Sequence, residues 1–176
     1  RYDLHNIIEV GWGRGYSSLC MAKQLCEIGS SGSITTIDPA LDKSQVEELT
    51  KIFPREWFEK IKFIKSTSQE AAQQLDIADG SIDLVYIDGD HRYEAVKHDW
   101  LWAKRIFNKF VLFDDYHEIT KKHKDMEISA VVDEITDYEK TLLITDRRLF
   151  LDDRRYTDDQ IDYGQVLIKH PDFDDK

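Results

Sequence analysis

The stretch NIIEVGWGRGYSSLCMAKQLCEIG, at residues 6–29, decides the fold class of this chain. It begins with a short β-branched apolar run, which is stopped by glycines at alternate positions, Gly11, Gly13 and Gly15. Apolar residues then recur at nearly helical spacing as far as Gly29, as is typical of a helix that ends at a glycine. The stretch therefore predicts a buried strand, a tight glycine turn and a covering helix.

The same alternation of strand and helix continues to the end of the chain. Further strands are predicted at residues 32–38, 60–66, 81–88, 109–115, 141–146 and 164–170, and further helices at 42–53, 68–78, 92–107 and 127–138. Nearly continuous apolar strands separated by helices indicate a mostly parallel sheet covered on both faces. The last two strands have no full helix between them, which favours an antiparallel edge pair. We predict an α/β, Rossmann-like, doubly wound fold with seven strands, in one domain over residues 1–170 with an acidic tail at 171–176.

Composition limits the partners that this chain could have. Its 176 residues are 41% hydrophobic and 34% charged, as in an ordinary globular domain, and its net charge is −11. Such an acidic surface disfavours nucleic acid and anionic membranes as partners. No apolar run approaches the roughly 18 residues of a membrane span, and no signal-peptide pattern opens the chain. The two cysteines, Cys20 and Cys26, lack metal-ligand spacing and read as thiols of a reducing compartment, so we expect a cytoplasmic protein.

The first two strand ends suggest a nucleotide-like ligand. Glycines between a strand and a helix allow close backbone approach, and the helix N-terminus offers free N–H groups to an anion. Asp38 ends the second strand, where a carboxylate suits the two hydroxyls of a ribose. A plain tight turn and a cap before Pro39 remain the alternatives. Together the two features indicate an adenosine-type ligand, although the glycines read G-x-G-x-G rather than the dinucleotide pattern G-x-G-x-x-G.

This pattern, with Glu9 before the glycines, resembles the first motif of the class I S-adenosylmethionine (SAM)-dependent methyltransferases. The resemblance extends from Glu9 to about Val132 and is closest to the small metal-dependent O-methyltransferases, both catechol O-methyltransferase-like and sugar- and antibiotic-modifying (methyltransferase domain 24 type). It implies that SAM is the cofactor. By this resemblance the methionine end of SAM is contacted by Glu9, Gly11, Gly13 and Ser17. The ribose is contacted by Asp38, and the adenine by Ser68 and Gln69. Ser68 could also act as the N-cap of the following helix.

The stretch DLVYIDGDHRY, at residues 83–93, places charged side chains at the end of a buried strand, where they are costly unless paired. The resemblance implies that Asp88, also counted among the cofactor contacts, binds a divalent metal together with Asp114 and Asp115. An oxygen-only set suits Mg²⁺ or another hard cation. The alternative is a solvated acidic rim. Three features depart from the relatives: Asp115 replaces an amide of the catechol type, IFNKFV replaces a glycine turn before the fifth strand, and Trp12 is bulky for a glycine loop.

Methyl transfer from SAM requires an aligned acceptor hydroxyl and a base to take its proton. His91 is the first candidate base, because bacterial relatives carry a lysine three positions after the strand-four aspartate; His117 is the second. Each could equally be an ordinary surface histidine. Asp90 is interpreted as supporting the metal site or capping the next helix, and Asp99 as an ordinary helix-face residue.

The function that these residues predict is divalent-metal-assisted O-methylation of a small hydroxylated molecule, sugar-like or phenolic. One alternative is an NAD-dependent oxidoreductase domain, which would share the glycine turn and Asp38. Another is a non-catalytic SAM-binding module, because the chain opens at Arg1 without methionine, consistent with removal of an upstream segment that closes the acceptor site. The sequence leaves the oligomeric state open, with a homodimer among the states it allows.

Overall fold

The computed structural model describes residues 3–117, 127–144 and 163–174. The strands are β1 (Asn6–Val10), β2 (Ser33–Ile37), β3 (Ile61–Ile64), β4 (Ile82–Ile87), β5 (Phe107–His117), β6 (Glu139–Ile144) and β7 (Tyr163–Lys169). The helices are α1 (Tyr16–Glu27), α2 (Lys43–Thr50), α3 (Arg55–Phe58), α4 (Ser68–Gln74), α5 (Tyr93–Ile106) and α6 (Ile128–Glu134). None of these helices is long and apolar enough to cross a membrane.

The strands form one seven-stranded sheet in the order β3-β2-β1-β4-β5-β7-β6. The first five pair in parallel, whereas β7 runs antiparallel to both β5 and β6. This confirms the predicted doubly wound α/β fold with an antiparallel edge pair. The strand order reverses between β1 and β4, and in such sheets ligands bind at the carboxyl ends of the strands beside the reversal.

Both faces of the sheet are covered by apolar packing. One buried cluster lies under α5 and α6 and includes Val85, Val111, Phe113, Trp100 and Trp102. The other lies under α1 and α2. Burying one such side chain contributes roughly 1.5–3 kcal/mol relative to leaving it exposed. The two clusters hold the strand ends, and therefore the polar residues that follow them, in fixed positions.

Several element bounds differ from those predicted. The single-turn helix α3 was missed: Pro54, which follows the helix predicted at 42–53, is the N-cap of α3. Strand β5 begins at Phe107, directly after α5, with no turn residues to mark the change. Predicted loop segments at residues 121–125 and 152–162 lie outside the described residues. In the predicted tail, the Phe173 ring packs edge-on against Phe110, with centroids 5.1 Å apart.

Candidate functional site

An open cavity of about 1060 Å³ lies at the carboxyl ends of β1, β2 and β4, beside the reversal of strand order. Its lining includes six residues that the sequence analysis proposed for the cofactor, Gly11, Gly13, Asp38, Ser68, Gln69 and Asp88. It also includes Asp99, which was not proposed as a site residue. The cavity therefore unites most of the predicted cofactor positions in one space.

The glycine loop is shaped by close approach of the backbone. Gly11, Gly13 and Gly15 all have positive φ, of 99°, 52° and 81°. A Cβ on Gly11 would overlap the carbonyl of Asp88, whereas a Cβ on Gly13 would meet nothing within 4 Å. Trp12 is buried, and its Nε1 donates a hydrogen bond to Gln45 (3.2 Å), so its bulk packs into the protein.

Asp38 holds this loop in place. Its Oδ2 accepts hydrogen bonds from the backbone N–H groups of Trp12 (2.9 Å) and Gly13 (3.1 Å), and its Oδ1 accepts one from Ala40 (2.7 Å). A carboxylate oxygen can accept two hydrogen bonds, so Oδ1 retains capacity for one more donor. Asp38 therefore does stabilise the turn, as one alternative in the sequence analysis held, and its Oδ1 can still accept a hydrogen bond from a ribose hydroxyl.

Glu9 lies beneath the glycine loop, completely buried. Its carboxylate accepts hydrogen bonds from the hydroxyls of Ser17 and Ser18 and from Thr36 Oγ1 (2.7 Å). Burial raises the pKa of Glu9, although these three donors lower it. Neither Glu9 nor Ser17 lines the cavity, so their direct contact with a cofactor stays a prediction.

Ser68 and Gln69 begin α4 on the cavity wall. The N-cap of this helix is Thr67, which forms a reciprocal capping box with Glu70. The alternative that Ser68 caps the helix is therefore wrong by one position. The T-x-x-E spacing of Thr67 and Glu70 is the sequence signal that identifies the true cap.

Three side chains at the ends of β4 and β5 could hold a cation. Candidate ligand atoms of Asp88, His91 and Asp115 lie within 4.8 Å of one another. His91 Nε2 is 3.9 Å from Asp88 Oδ1 and 3.5 Å from Asp115 Oδ2. Asp115 adopts a positive φ of 53° in an irregular part of the β5–β7 pairing. Asp and Asn tolerate this conformation best among residues with a Cβ.

Asp114, the remaining predicted metal ligand, is oriented differently. Its carboxylate accepts hydrogen bonds from the Tyr86 hydroxyl, the Asp115 backbone N–H (2.9 Å) and Gln165 Nε2 (3.3 Å). It is thus adjacent to the group of Asp88, His91 and Asp115 but not within it. Tyr86 and Gln165 were missed, because a tyrosine in a buried strand and a residue on distant β7 carry no local signal for this contact.

The carboxylates at the ends of β4 and β5 are partly buried and repel one another. Burial raises the pKa of Asp88, an effect that His91 opposes and Asp114 reinforces. Burial and the charge of Asp114 likewise raise the pKa of Asp115. The neighbouring Asp88 raises the pKa of His91. A cation would relieve this repulsion, and the oxygen donors fit a hard divalent ion.

The loop between β4 and α5 is held by hydrogen bonds within the loop and by hydrogen bonds to Glu127. Asp90 pairs with the Arg92 guanidinium and accepts its backbone N–H (3.0 Å), but the N-cap of α5 is Arg92, so the alternative that Asp90 caps this helix is wrong. Glu127, missed from the sequence, donates its N–H to the His91 carbonyl (2.9 Å) and accepts the Tyr93 N–H (2.7 Å). The side chain of the second candidate base, His117, lies outside the described residues.

Comparisons with known proteins agree with this architecture. The sequence model of a family described as "Methyltransferase domain" matches residues 8–116. An uncharacterized protein, y4gI, of Sinorhizobium fredii is 29% identical over 122 residues, which cover 62% of this chain. The chain spans only 13% of the length of that curated relative.

Solved structures share the fold at low sequence identity. A Klebsiella pneumoniae protein matches with a TM-score of 0.70 and 16% identity, over 94% of this chain and 73% of that one. The O-methyltransferase TomG from Streptomyces achromogenes, solved with SAM, matches with a TM-score of 0.65, 16% identity and coverage of 94% and 73%. A Bacillus cereus O-methyltransferase, solved with SAH, matches with a TM-score of 0.67, 15% identity and coverage of 95% and 74%.

Proposed function

The chain belongs to the methyltransferase domain family, and from that premise we propose that it transfers the methyl group of SAM to a hydroxyl oxygen of a small acceptor, assisted by a divalent cation. The acceptor that we propose is sugar-like or phenolic, and the proposed location is the cytoplasm. The family match favours this function over the oxidoreductase alternative.

The observation that carries the proposal is the position of Asp88. Its backbone packs against Gly11 in the loop of the cavity, while its side chain faces His91 and Asp115. One residue thus joins the proposed cofactor cavity to the proposed cation site. A methyl donor and an acceptor must meet in line, so adjacency of the two sites is what the reaction requires.

The residues of the cavity suit SAM. The open side of Gly13 and the free acceptor capacity of Asp38 leave room for a nucleoside. When bound, SAM supplies a methyl group on a positively charged sulfur, and a divalent cation supplies Lewis acidity toward the acceptor hydroxyl. Asp88 and Asp115 are the proposed direct ligands of the cation. Asp114 is the third, and it would have to give up hydrogen bonds to Tyr86 or Gln165.

His91 is the proposed base. Its Nε2 faces both carboxylates, and its backbone carbonyl is held by Glu127. In the cation-free protein the carboxylates favour the protonated imidazole, since Asp88 raises the His91 pKa. Neutralising the carboxylates would weaken that effect and make the imidazole a better proton acceptor.

Calorimetric titration of Mg²⁺ into SAH-saturated protein tests the cation site. We expect binding by the wild type and at least tenfold weaker binding by Asp115→Asn, because one charged ligand is lost. Asp90→Asn is the matched control from the same acidic region: its carboxylate already pairs with Arg92, so Mg²⁺ affinity should stay within about twofold. Equal Mg²⁺ affinity in wild type and Asp115→Asn would refute the proposed site.

A further inference from the structure

Asp99 occupies a position that the proposed mechanism does not explain. It lies on α5 and is only 2% exposed, yet it lines the cavity that contains the glycine loop and Asp38. Asp residues are almost never this buried unless they are paired. Its interpretation as an ordinary helix-face residue is therefore wrong.

Asp99 lies beside the part of the cavity wall that α4 forms. Ala95 lies one helical turn earlier on α5 and lines the same cavity, so the two residues share a face. Ser68, at the start of α4, is close enough to affect the Asp99 pKa. Asp99 and Ser68 therefore line adjacent parts of the cavity wall.

The carboxyl group of Asp99 is incompletely hydrogen-bonded. Its Oδ1 is buried with no hydrogen-bond partner among the described residues, and His98 Nδ1 lies 3.6 Å from it. An unsatisfied buried acceptor costs about 1–3 kcal/mol. Torsion about the Cβ–Cγ bond of an aspartate is broad, so a small rotation would direct this oxygen toward a donor in the cavity.

We propose that Asp99 is a specificity residue that accepts a hydrogen bond from the exocyclic amino group of the cofactor's adenine. This inference rests on the proposed function, because it takes the cavity occupant to be SAM. It adds Asp99, on α5, to Ser68 and Gln69, on α4, as a residue that contacts the adenine.

The chemistry of adenine favours this donor over others in the ligand. The amino group is the only hydrogen-bond donor on the base, and the remaining donors belong to the ribose and the methionine portion. Asp38 offers its free acceptor capacity from the end of β2, on another wall of the cavity. Burial raises the pKa of the Asp99 carboxyl, although Ser68 and His98 oppose the effect. As a carboxylate, Asp99 offers only acceptor oxygens, which match the amino group and not a carbonyl.

Base selectivity in binding tests the assignment without reference to turnover. The two probes are S-adenosylhomocysteine and S-inosylhomocysteine, in which a carbonyl oxygen replaces the amino group, and both are titrated by calorimetry. The wild type should bind the adenosyl ligand at least tenfold more tightly, because the carbonyl would face an acceptor. In Asp99→Asn the preference should fall to within about twofold, since an amide can accept from an amine or donate to a carbonyl.

Two further variants separate a specific role of Asp99 from a general effect of losing a buried carboxylate. Asp99→Leu should lose the preference as well, and circular dichroism establishes that each variant is folded. Asp83→Asn removes a different buried carboxylate, at the start of β4, and should keep the full preference even though it destabilises the fold. A wild-type preference that persists in folded Asp99→Asn would overturn the role of Asp99 alone. Failure of the wild type to bind S-adenosylhomocysteine would overturn the proposed function and this inference together.

Discussion

The backbone of Asp88 packs directly against the Cα of Gly11, so the ends of β4 and β1 touch where the two proposed sites meet. The Asp88 N–H also donates to the Val10 carbonyl (2.9 Å), and the Gly11 N–H donates to the Ile37 carbonyl (2.9 Å). Three adjacent strands are thereby connected at their carboxyl ends. The position of the Asp88 carboxylate depends on this backbone contact.

Gly11→Ala should destabilise the protein by about 3 kcal/mol or more, because the new Cβ would overlap the Asp88 carbonyl at a φ that disfavours side chains. Gly13→Ala is the matched control, with positive φ but open space, and should cost only about 1 kcal/mol. Urea unfolding of both variants measures the difference. Equal destabilisation by the two substitutions would contradict the importance of this contact.

Glu9→Ala should lower the free energy of unfolding by about 3–5 kcal/mol, because the buried hydroxyls of Ser18 and Thr36 and the partly buried hydroxyl of Ser17 would lose their acceptor. Glu9→Gln should cost less than half as much, since the amide keeps the volume and one acceptor oxygen. Chemical denaturation at pH 7 provides both values. If glutamine proves as damaging as alanine, the charge of Glu9 rather than its hydrogen bonding holds the loop.

Asp83 should contribute to acid sensitivity. Burial alone would raise the pKa of Asp83, but the backbone N–H groups of His5 and Asn6 and the Lys109 ammonium outweigh burial and lower it. A carboxyl with a lowered folded-state pKa stabilises the fold above its unfolded pKa of about 3.9. That contribution is lost as pH falls through the folded value.

Asp83→Asn should therefore be less stable than the wild type at pH 7, by about 1–3 kcal/mol, and the gap should narrow below about pH 4. Thermal unfolding from pH 7 down to pH 3 follows both proteins. A gap that is constant over this range would show that the Asp83 charge contributes nothing.

Asp114→Asn should weaken Mg²⁺ binding less than Asp115→Asn does. Asp114 already accepts hydrogen bonds from Tyr86, Gln165 and the Asp115 N–H, whereas Asp115 faces His91. We expect a loss of about threefold against at least tenfold, measured by the same titration in the presence of SAH. The reverse order would mean that Asp114 leaves its present partners to become the principal ligand.

Much of this architecture could be predicted from the sequence, because alternating apolar strands and helices specify a parallel sheet, and a parallel sheet gathers its strand ends. Asp38 and Asp88 were placed in this way. The parts that were missed depend on contacts between distant segments. The bond from Gln165 to Asp114 requires the pairing of β5 with β7, which no local pattern shows, and the bond from Tyr86 requires the pairing of β4 with β5.

The directions in which side chains point could also not be predicted from the sequence. Asp99 follows Ala95 by one turn, so helical spacing places both on one face, but only packing shows that this face lines the cavity. Glu127 similarly reaches the start of α5 from a separate segment. Single polar residues in amphipathic helices are usually solvated, and that general expectation concealed the burial of Asp99.

Calorimetric titration of SAM, with NAD⁺ as a parallel ligand and both in EDTA, tests whether the cavity binds SAM. We expect saturable binding of SAM at one site, no detectable heat from NAD⁺, and at least tenfold weaker SAM binding by Asp38→Ala. Saturable binding of NAD⁺ without binding of SAM would show that the cavity is not a SAM site.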